Sequence, residues 1–273
     1  MADCKVKVLD HGVLECDQEL ITPLQSLATA ENKQTTSKWI RVPTFSLIIE
    51  HPEIVVGVDN GNHPEAMRGY WPEHLRSIFP WVHSEADEYA NRLEQAGYAP
   101  TDLDLMVQSH LHLDHAGCLY LFEDTGVPVL VHEAEMREAL YAAYALPVEK
   151  RGGYHRPDFC RDVNYRPTRK DRFELAEDLW VFNFPGHTPG VLGVLFRAAG
   201  RWYLYPNDGV WTRANYEQGL LPSILWSSRH YWDTTLPLVR EIVEEYEATL
   251  VFSHDLEDFG KLKGYEDFEV VGG

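Results

Sequence analysis

Little in this chain is basic: 24 lysines and arginines face 43 aspartates and glutamates, for a formal charge of −19. Such a field repels phosphate backbones and disfavours a nucleic-acid partner unless a basic patch is hidden locally. Cysteine is scarce too. Cys4, Cys16, Cys118 and Cys160 show no C-x-x-C spacing and no disulfide framework, so they read as reduced thiols. No stretch approaches the ~20 apolar residues of a membrane span, and residues 1–10 lack the apolar segment of a secretory signal. Repeats and low-complexity tracts are missing as well. These absences point to a soluble, cytoplasmic protein with no membrane partner. With 44% hydrophobic residues and no clear linker, residues 1–273 read as a single domain with a sizeable core.

What is present is concentrated at Ser109-His110-Leu111-His112-Leu113-Asp114-His115-Ala116-Gly117, directly after an apolar run at 103–107. Four metal-capable side chains fall within six residues. If 109–113 stays extended, alternation puts His110 and His112 on one face. A turn at Asp114-His115 then aims the next pair at a neighbouring point, a layout for two adjacent metal ions. A polar loop with incidental histidines is the poorer account, because H-x-H-x-D-H is seldom met by chance.

Around this motif the chain alternates between strand and helix patterns. Residues 5–9 and 11–14 predict an opening strand or hairpin. Residues 18–38, polar and rich in Thr, Gln and Ser, predict a long loop of the kind that often carries binding function. Residues 42–49, broken by Pro43, and 54–58 predict two strands, the second ending at Asp59-Asn60-Gly61. The aromatic stretch 71–81 fits either a pocket mouth or a packed surface loop. Residues 84–96 predict a helix with Ser84 and Asp87 as its capping box. A strand at 127–131, a helix at 133–145 and a second long excursion at 147–172 follow. Residues 179–184 predict a strand, and 191–196 with 202–205 a hairpin. A helix at 234–246 precedes the last expected strand, 250–252.

Metal-capable residues recur where an apolar strand stops: at the motif, at His187, at Asp208 and at His254. Collecting one site from several strand ends is a common way to build catalysis on a rigid scaffold. The inventory assigns His110, His112 and His187 to one ion and Asp114, His115 and His254 to the other. Asp208 suits a bridge, since one carboxylate offers an oxygen to each. Three or four ligands per ion leave an open position, the mark of a catalytic rather than a structural site. Imidazole with carboxylate suits zinc, and also iron, manganese or cobalt. Two such cations bring the pKa of a bridging water toward neutrality, so the chemistry implied is hydrolysis by hydroxide. The other eight histidines (His11, His51, His63, His74, His83, His132, His155 and His230) are expected to be ordinary surface or core residues.

The H-x-H-x-D-H run, Pro185-Gly186-His187-Thr188-Pro189-Gly190, Asp208 after a strand and Ser253-His254-Asp255 together resemble the metallo-β-lactamase superfamily. The resemblance spans residues 59–254 and implies an α+β fold, a four-layer αββα sandwich with a dinuclear site at one edge. Size, the lead-in Gly97-Tyr98-Ala99-Pro100-Thr101-Asp102-Leu103 and the closing Ser253-His254-Asp255-Leu256-Glu257 are similar to N-acyl homoserine lactone lactonases and pyridoxolactonases. By that resemblance a bridging hydroxide attacks the carbonyl of a small lactone, Asp208 bridges the metals, and Asp114 carries a proton to the leaving alkoxide. Asp59 becomes an anchor behind the ligands. Two positions depart from the pattern. Those lactonases carry a tyrosine where this chain has substrate-facing Trp211, which donates a hydrogen bond but is no phenol-like acid. Val191 stands where another histidine is usual.

The expected function is thus a dinuclear metal-dependent lactonase with a small-molecule substrate, and a homodimer is compatible with it. Because Trp211 replaces the tyrosine, hydrolysis of another small ester, thioester, cyclic amide, phosphoester or activated aryl substrate is the alternative. The complete set Asp114, His115 and His254 argues against a mononuclear iron oxygenase. Open coordination positions argue against a non-enzymatic sensor.

Overall fold

The computed structural model describes residues 2–272; Met1 and Gly273, the ends of the expected domain, lie outside the described residues. Runs of β-branched and aromatic residues form the strands, as their fit to a pleated, packed surface requires. In chain order these are β1 (Lys5–Asp17), β2 (Trp39–Glu50), β3 (Val55–Val58), β4 (Trp81–Val82), β5 (Leu105–Val107), β6 (Pro128–His132) and β7 (Asn164–Thr168). They continue with β8 (Arg172–Ala176), β9 (Leu179–Asn183), β10 (Leu192–Ala198), β11 (Arg201–Tyr205), β12 (Thr249–Leu250) and β13 (Phe268–Val271). One sheet runs β13-β1-β2-β3-β5-β6-β7, with β4 on β1; the other runs β12-β11-β10-β9-β8.

Period-two alternation sorts the side chains into layers. On β2, Leu47 and Ile49 join the inter-sheet core, whereas Ile48 packs on the opposite face. Val6, Val56, Val58 and Val107 meet Val181, Val194, Phe196 and Tyr205 between the sheets. Outside the first sheet, Met106, Val129 and Val131 pack with Leu93 of helix Tyr89–Gln95 and Ala139 and Ala143 of helix Glu133–Ala145. Outside the second, Phe182, Leu195 and Leu204 pack with Leu236, Val239 and Ile242 of helix Leu236–Tyr246. The result is the four-layer αββα sandwich. Each large apolar side chain buried here contributes roughly 1.5–3 kcal/mol, so the inter-sheet layer sets where the strand ends stand. Among the described residues no helix is long and apolar enough to cross a membrane.

Several local expectations are corrected by tertiary context. Of the strand or hairpin expected at the start, the strand is found and runs on to Asp17, passing through an irregularity between Asp10 and Val13 with Gly12 at φ 80°. Ser84 N–H does donate to Asp87, but the box closes a short turn, Glu85–Asp87, because Glu88 is extended. The helix proper starts at Tyr89. The excursion at 147–172 contains the helix Arg156–Phe159 and all of β7, which pairs parallel with β6 at the sheet edge. There Pro167 is tolerated, since an edge strand can dispense with one donor. Residues 250–252 are not the last strand: β13, from the acidic tail, pairs parallel with β1. The aromatic stretch divides: Trp71 and Trp81 are core, while His74, Leu75, Ile78 and Phe79 line a cavity.

Candidate metal centre

Five strands deliver the candidate residues at their C-terminal ends: β3 before Asp59, β5 before the histidine motif, β9 before His187, β11 before Asp208 and β12 before His254. The motif itself is not a strand. Gln108 organises it: its Nε2 donates to the carbonyls of His110 (2.7 Å) and His115 (2.9 Å), while its Oε1 accepts from Asn60. His115 closes a tight turn, with Ala116 N–H donating to the His112 carbonyl at 2.9 Å. Gly117 is needed because a Cβ there would lie 2.3 Å from the backbone nitrogen of His63. Its close approach docks the motif on the Asp59–Asn62 turn, where Gly117 N–H donates to the Gly61 carbonyl at 2.8 Å.

Asp59 sits in the left-handed region (φ 61°), which aspartate enters more readily than most residues. Its Oδ2 receives Ser109 Oγ, His115 Nδ1 and Asn207 Nδ2, each at 2.7 Å, and its Oδ1 receives Ser109 N at 2.8 Å. One buried carboxylate thereby ties the motif to the turn that carries Asp208. With Nδ1 of His115 bound to Asp59, its Nε2 is left facing the site, the usual way an anchor orients a ligand. Ser109 Oγ donates to Asp59 and so accepts from His110 Nδ1 at 3.0 Å, which leaves the His110 Nε2 lone pair free. Carbonyls do the same elsewhere: Ile224 O accepts from His187 Nδ1 at 3.0 Å and Pro43 O from His254 Nδ1 at 3.1 Å.

The freed nitrogens converge on Asp208. Its Oδ1 lies 3.3 Å from His254 Nε2 and 3.5 Å from His115 Nε2; its Oδ2 lies 3.4 Å from His187 Nε2 and 3.8 Å from His110 Nε2. His112 Nδ1 is 2.9 Å from His187 Nε2. Three groups place their ligand atoms within 4.8 Å of one another: His110, His112 and His187; His110, His115 and Asp208; Asp114, His115 and His254. His110 Nε2, His115 Nε2 and Asp208 Oδ1 are buried without a hydrogen-bond partner. Buried polar atoms are normally satisfied, so three orphans pointing at one space fit divalent cations well.

Electrostatics separate the two ends of the cluster. Burial, reinforced by neighbouring imidazoles, holds His110 and His112 well below the ordinary histidine value, and burial also lowers His187. These rings are neutral near pH 7, the form that offers a lone pair to a metal. Burial would depress His115 and His254 as well, but Asp208 and Asp114 outweigh it and raise both. Burial pushes against ionisation of Asp208, yet His254 and His115 hold its carboxyl well below the usual range.

A cavity of about 250 Å³ opens onto His112, Asp114, His187, Asp208 and His254. Leu14, Ile21, Val42, Leu75, Phe79 and Ile224 make its apolar walls. Trp211 also lines it, with its ring 4.9 Å from that of His187 and 5.5 Å from that of His254. The Trp211 indole N–H is buried and unpartnered. All nine residues singled out from the sequence are thus brought together. Of the two expected loops, 18–38 opens instead with a short helix, Gln18–Ile21, capped by Asp17, and reaches the cavity through Ile21; 147–172 reaches it through Glu149, Gly152 and Gly153. His74, expected to be ordinary, lines the cavity. His155 packs edge-on against Tyr70, and His230 pairs with Ser227. Gln108 and Glu135 were not legible in advance. Glu135 is fully buried, and burial pushes its carboxyl up to about 7; a glutamate in the first turn of a helix gives no sequence signal of that.

The family model of the metallo-beta-lactamase superfamily matches residues 39–254, and the chain belongs to that superfamily. Among curated proteins it is 28% identical over 272 residues to the N-acyl homoserine lactonase AiiB of Agrobacterium fabrum, covering 94% of this chain and 96% of that protein. It is 27% identical over 280 residues to the N-acyl homoserine lactonase AttM of Rhizobium radiobacter, covering 98% and 99%. Its fold is similar to that of an N-acyl homoserine lactone hydrolase solved with N-hexanoyl-L-homoserine at its catalytic metal centre. That match has a TM-score of 0.81 at 22% identity, covering 96% of this chain and 97% of the other. AidC, a dizinc quorum-quenching lactonase, matches with a TM-score of 0.62 at 14% identity, covering 93% and 88%.

Proposed function

We propose that this chain is a metal-dependent hydrolase that opens the ring of N-acyl homoserine lactones, a quorum-quenching activity. The observation that carries the reading is Asp208, whose two oxygens face two different histidine groups. His110, His112 and His187 would hold one ion, Asp114, His115 and His254 the other, and Asp208 both. Zinc is the metal we favour for this imidazole and carboxylate set, with iron, manganese and cobalt compatible. When bound, two such cations lower the pKa of water toward neutrality and polarise an acyl oxygen.

The chain's own residues supply the rest. The apolar walls accept an N-acyl chain and exclude water from it, while the reacting ring sits over Asp208. Trp211 presents its indole N–H to the substrate carbonyl, satisfying a donor that is otherwise buried alone. Water oxygen bonds to the carbonyl carbon, the ring C–O bond breaks, and the ring oxygen leaves as a hydroxyl. Asp114, which lines the cavity beside His115 and His254, takes up the proton that the attacking water loses and hands it to that oxygen. The 27–28% identity to AiiB and AttM over nearly the whole chain favours this substrate class over thioesters or cyclic amides.

The reading extends to organisation. Pairing of β13 with β1 joins the two ends of the chain, in keeping with one domain over 1–273. All four cysteines are free, three of them buried, in keeping with a reducing cytoplasm. A homodimer is compatible and would show in sedimentation.

Metal analysis of purified protein should find about two ions per chain, and a pH-stat assay should show proton release with N-acyl homoserine lactones. Asp208→Ala should abolish that release while leaving the far-ultraviolet spectrum unchanged. Turnover retained in Asp208→Ala, or one ion or none in the wild type, refutes the reading.

A further inference from the structure

The hydrolytic reading leaves the fully buried carboxyl of Glu135 without a task. Glu135 stands in the first turn of the helix Glu133–Ala145 and does not line the cavity. Its Oε1 accepts the Leu111 N–H at 2.9 Å, the backbone link between His110 and His112. Its Oε2 is buried without a well-formed hydrogen bond, and so are the hydroxyls of Tyr154 and Thr188. Glu135 feels both of these hydroxyls and the Gly190 backbone. Tyr154 in turn sets its ring 4.5 Å from that of His112 and bridges that residue's backbone. Thr188 directly follows His187. At Gly190 the chain approaches so closely that a Cβ would lie 2.7 Å from the Glu135 nitrogen.

The Glu135 carboxyl thus holds the Leu111 backbone between His110 and His112, while its backbone and Cβ pack against the Gly190 turn that follows His187. Those segments need holding. His112 Nδ1 and His187 Nε2 are 2.9 Å apart, a hydrogen bond that both rings must give up if they are to turn lone pairs toward a cation. A carboxyl this deeply buried is costly, so its presence calls for a compensating role. A polar group pinned behind ligands commonly supplies one, and its loss weakens metal affinity by about 10–100-fold.

We propose that Glu135 is a positioning residue for the His110, His112 and His187 group, pinning Leu111 against the Thr188–Gly190 turn so that three imidazoles keep ligand spacing. The inference rests on the reading that this group holds one of two ions. Glu135→Leu removes the acceptor and the charge; Glu135→Gln keeps an oxygen for the Leu111 N–H. Chelator competition on each protein measures the two binding steps separately, and cobalt loading reports the geometry of the occupied sites by absorption.

In Glu135→Leu one ion should weaken by about 10–100-fold while the other stays as tight as in wild type, and part of the cobalt spectrum should be lost. Glu135→Gln should restore most of both. Thr188→Val, which deletes one hydroxyl, should shift the same step more mildly and covers the case in which Glu135→Leu does not fold. Equal weakening of both ions marks a general structural role and overturns the proposal, as does unchanged affinity in Glu135→Leu and Thr188→Val. A wild-type chain that binds fewer than two ions overturns the dinuclear reading, and this inference with it. That failure is distinct because it appears in the unmutated protein.

Discussion

His115 Nδ1 lies 2.7 Å from Asp59 Oδ2, so the ring orientation of one candidate ligand is set by a residue 56 positions earlier in the chain. Asp59→Ala removes that acceptor and strands Ser109 and Asn207 as buried donors. The expected cost is about 3 kcal/mol of stability and 10–100-fold in affinity for the ion held by Asp114, His115 and His254. Asp59→Asn, which tolerates the same left-handed backbone, should fall between. Urea denaturation of chelated protein and metal titration read the two effects; unchanged affinity in Asp59→Ala would remove Asp59 from the site.

Trp211 lines the cavity, and its indole N–H is buried there without a partner. Trp211→Phe keeps an aromatic wall and deletes the donor. The expected loss is about 10-fold or more in kcat, with a smaller change in KM, because the bond strengthens as the carbonyl oxygen gains charge. Trp211→Tyr should recover activity on homoserine lactones. A lactone panel checks both, and no difference between Trp211→Phe and wild type would show that the indole serves only as packing.

Metal-free protein should lose stability as pH falls from about 6.5 toward 4. His11, fully buried between Ser46 and the Asp87 carbonyl, is held down at about 4, and burial also lowers His63 and His155 to about 4. Each takes up a proton on unfolding at pH values where the native form does not, so acid favours the unfolded chain. His11 alone accounts for about 3 kcal/mol at most. His110, His112 and His187 act in the same direction, while the raised carboxyls of Glu135 and Asp158 act against them and reduce the slope. His115 and His254 are raised instead. Their contribution is present in full below 6.5 and is lost only as pH rises, so it adds no slope in this window. Asp208 is depressed and withdraws its contribution only below the ordinary carboxylate value. Urea midpoints at pH 7, 5.5 and 4.5 test the slope, and a flat profile would show that these rings are protonated while folded.

Local periodicity carried much of the fold. The helix Glu133–Ala145 and the hairpin of β10 and β11 follow patterns that need no tertiary information. Residues 164–168 and 268–271 were illegible for a physical reason. One carries an arginine and a proline in five residues and the other is only four residues long, so each becomes a strand only because β6 or β1 offers it a partner edge. In the same way the aromatic stretch 71–81 could not be sorted into wall and core. Leu75 and Phe79 face the cavity while Trp71 and Trp81 pack inward, a choice made by which face meets Leu14, Val42 and Leu113.

From the sequence alone came the chemistry: H-x-H-x-D-H, His187, Asp208 and His254 are unusual enough in type and spacing to name a two-metal ligand set. Only the tertiary structure decided how that set is held. Hydrogen bonds to Asp59, Ser109, Ile224 O and Pro43 O choose which ring nitrogen His115, His110, His187 and His254 present, Gln108 holds the backbone of the motif, and Glu135 is revealed as buried behind His110, His112 and His187. The reason is that ligand identity is a property of single residues, whereas tautomer, orientation and orphaned lone pairs belong to contacts between segments far apart in the chain.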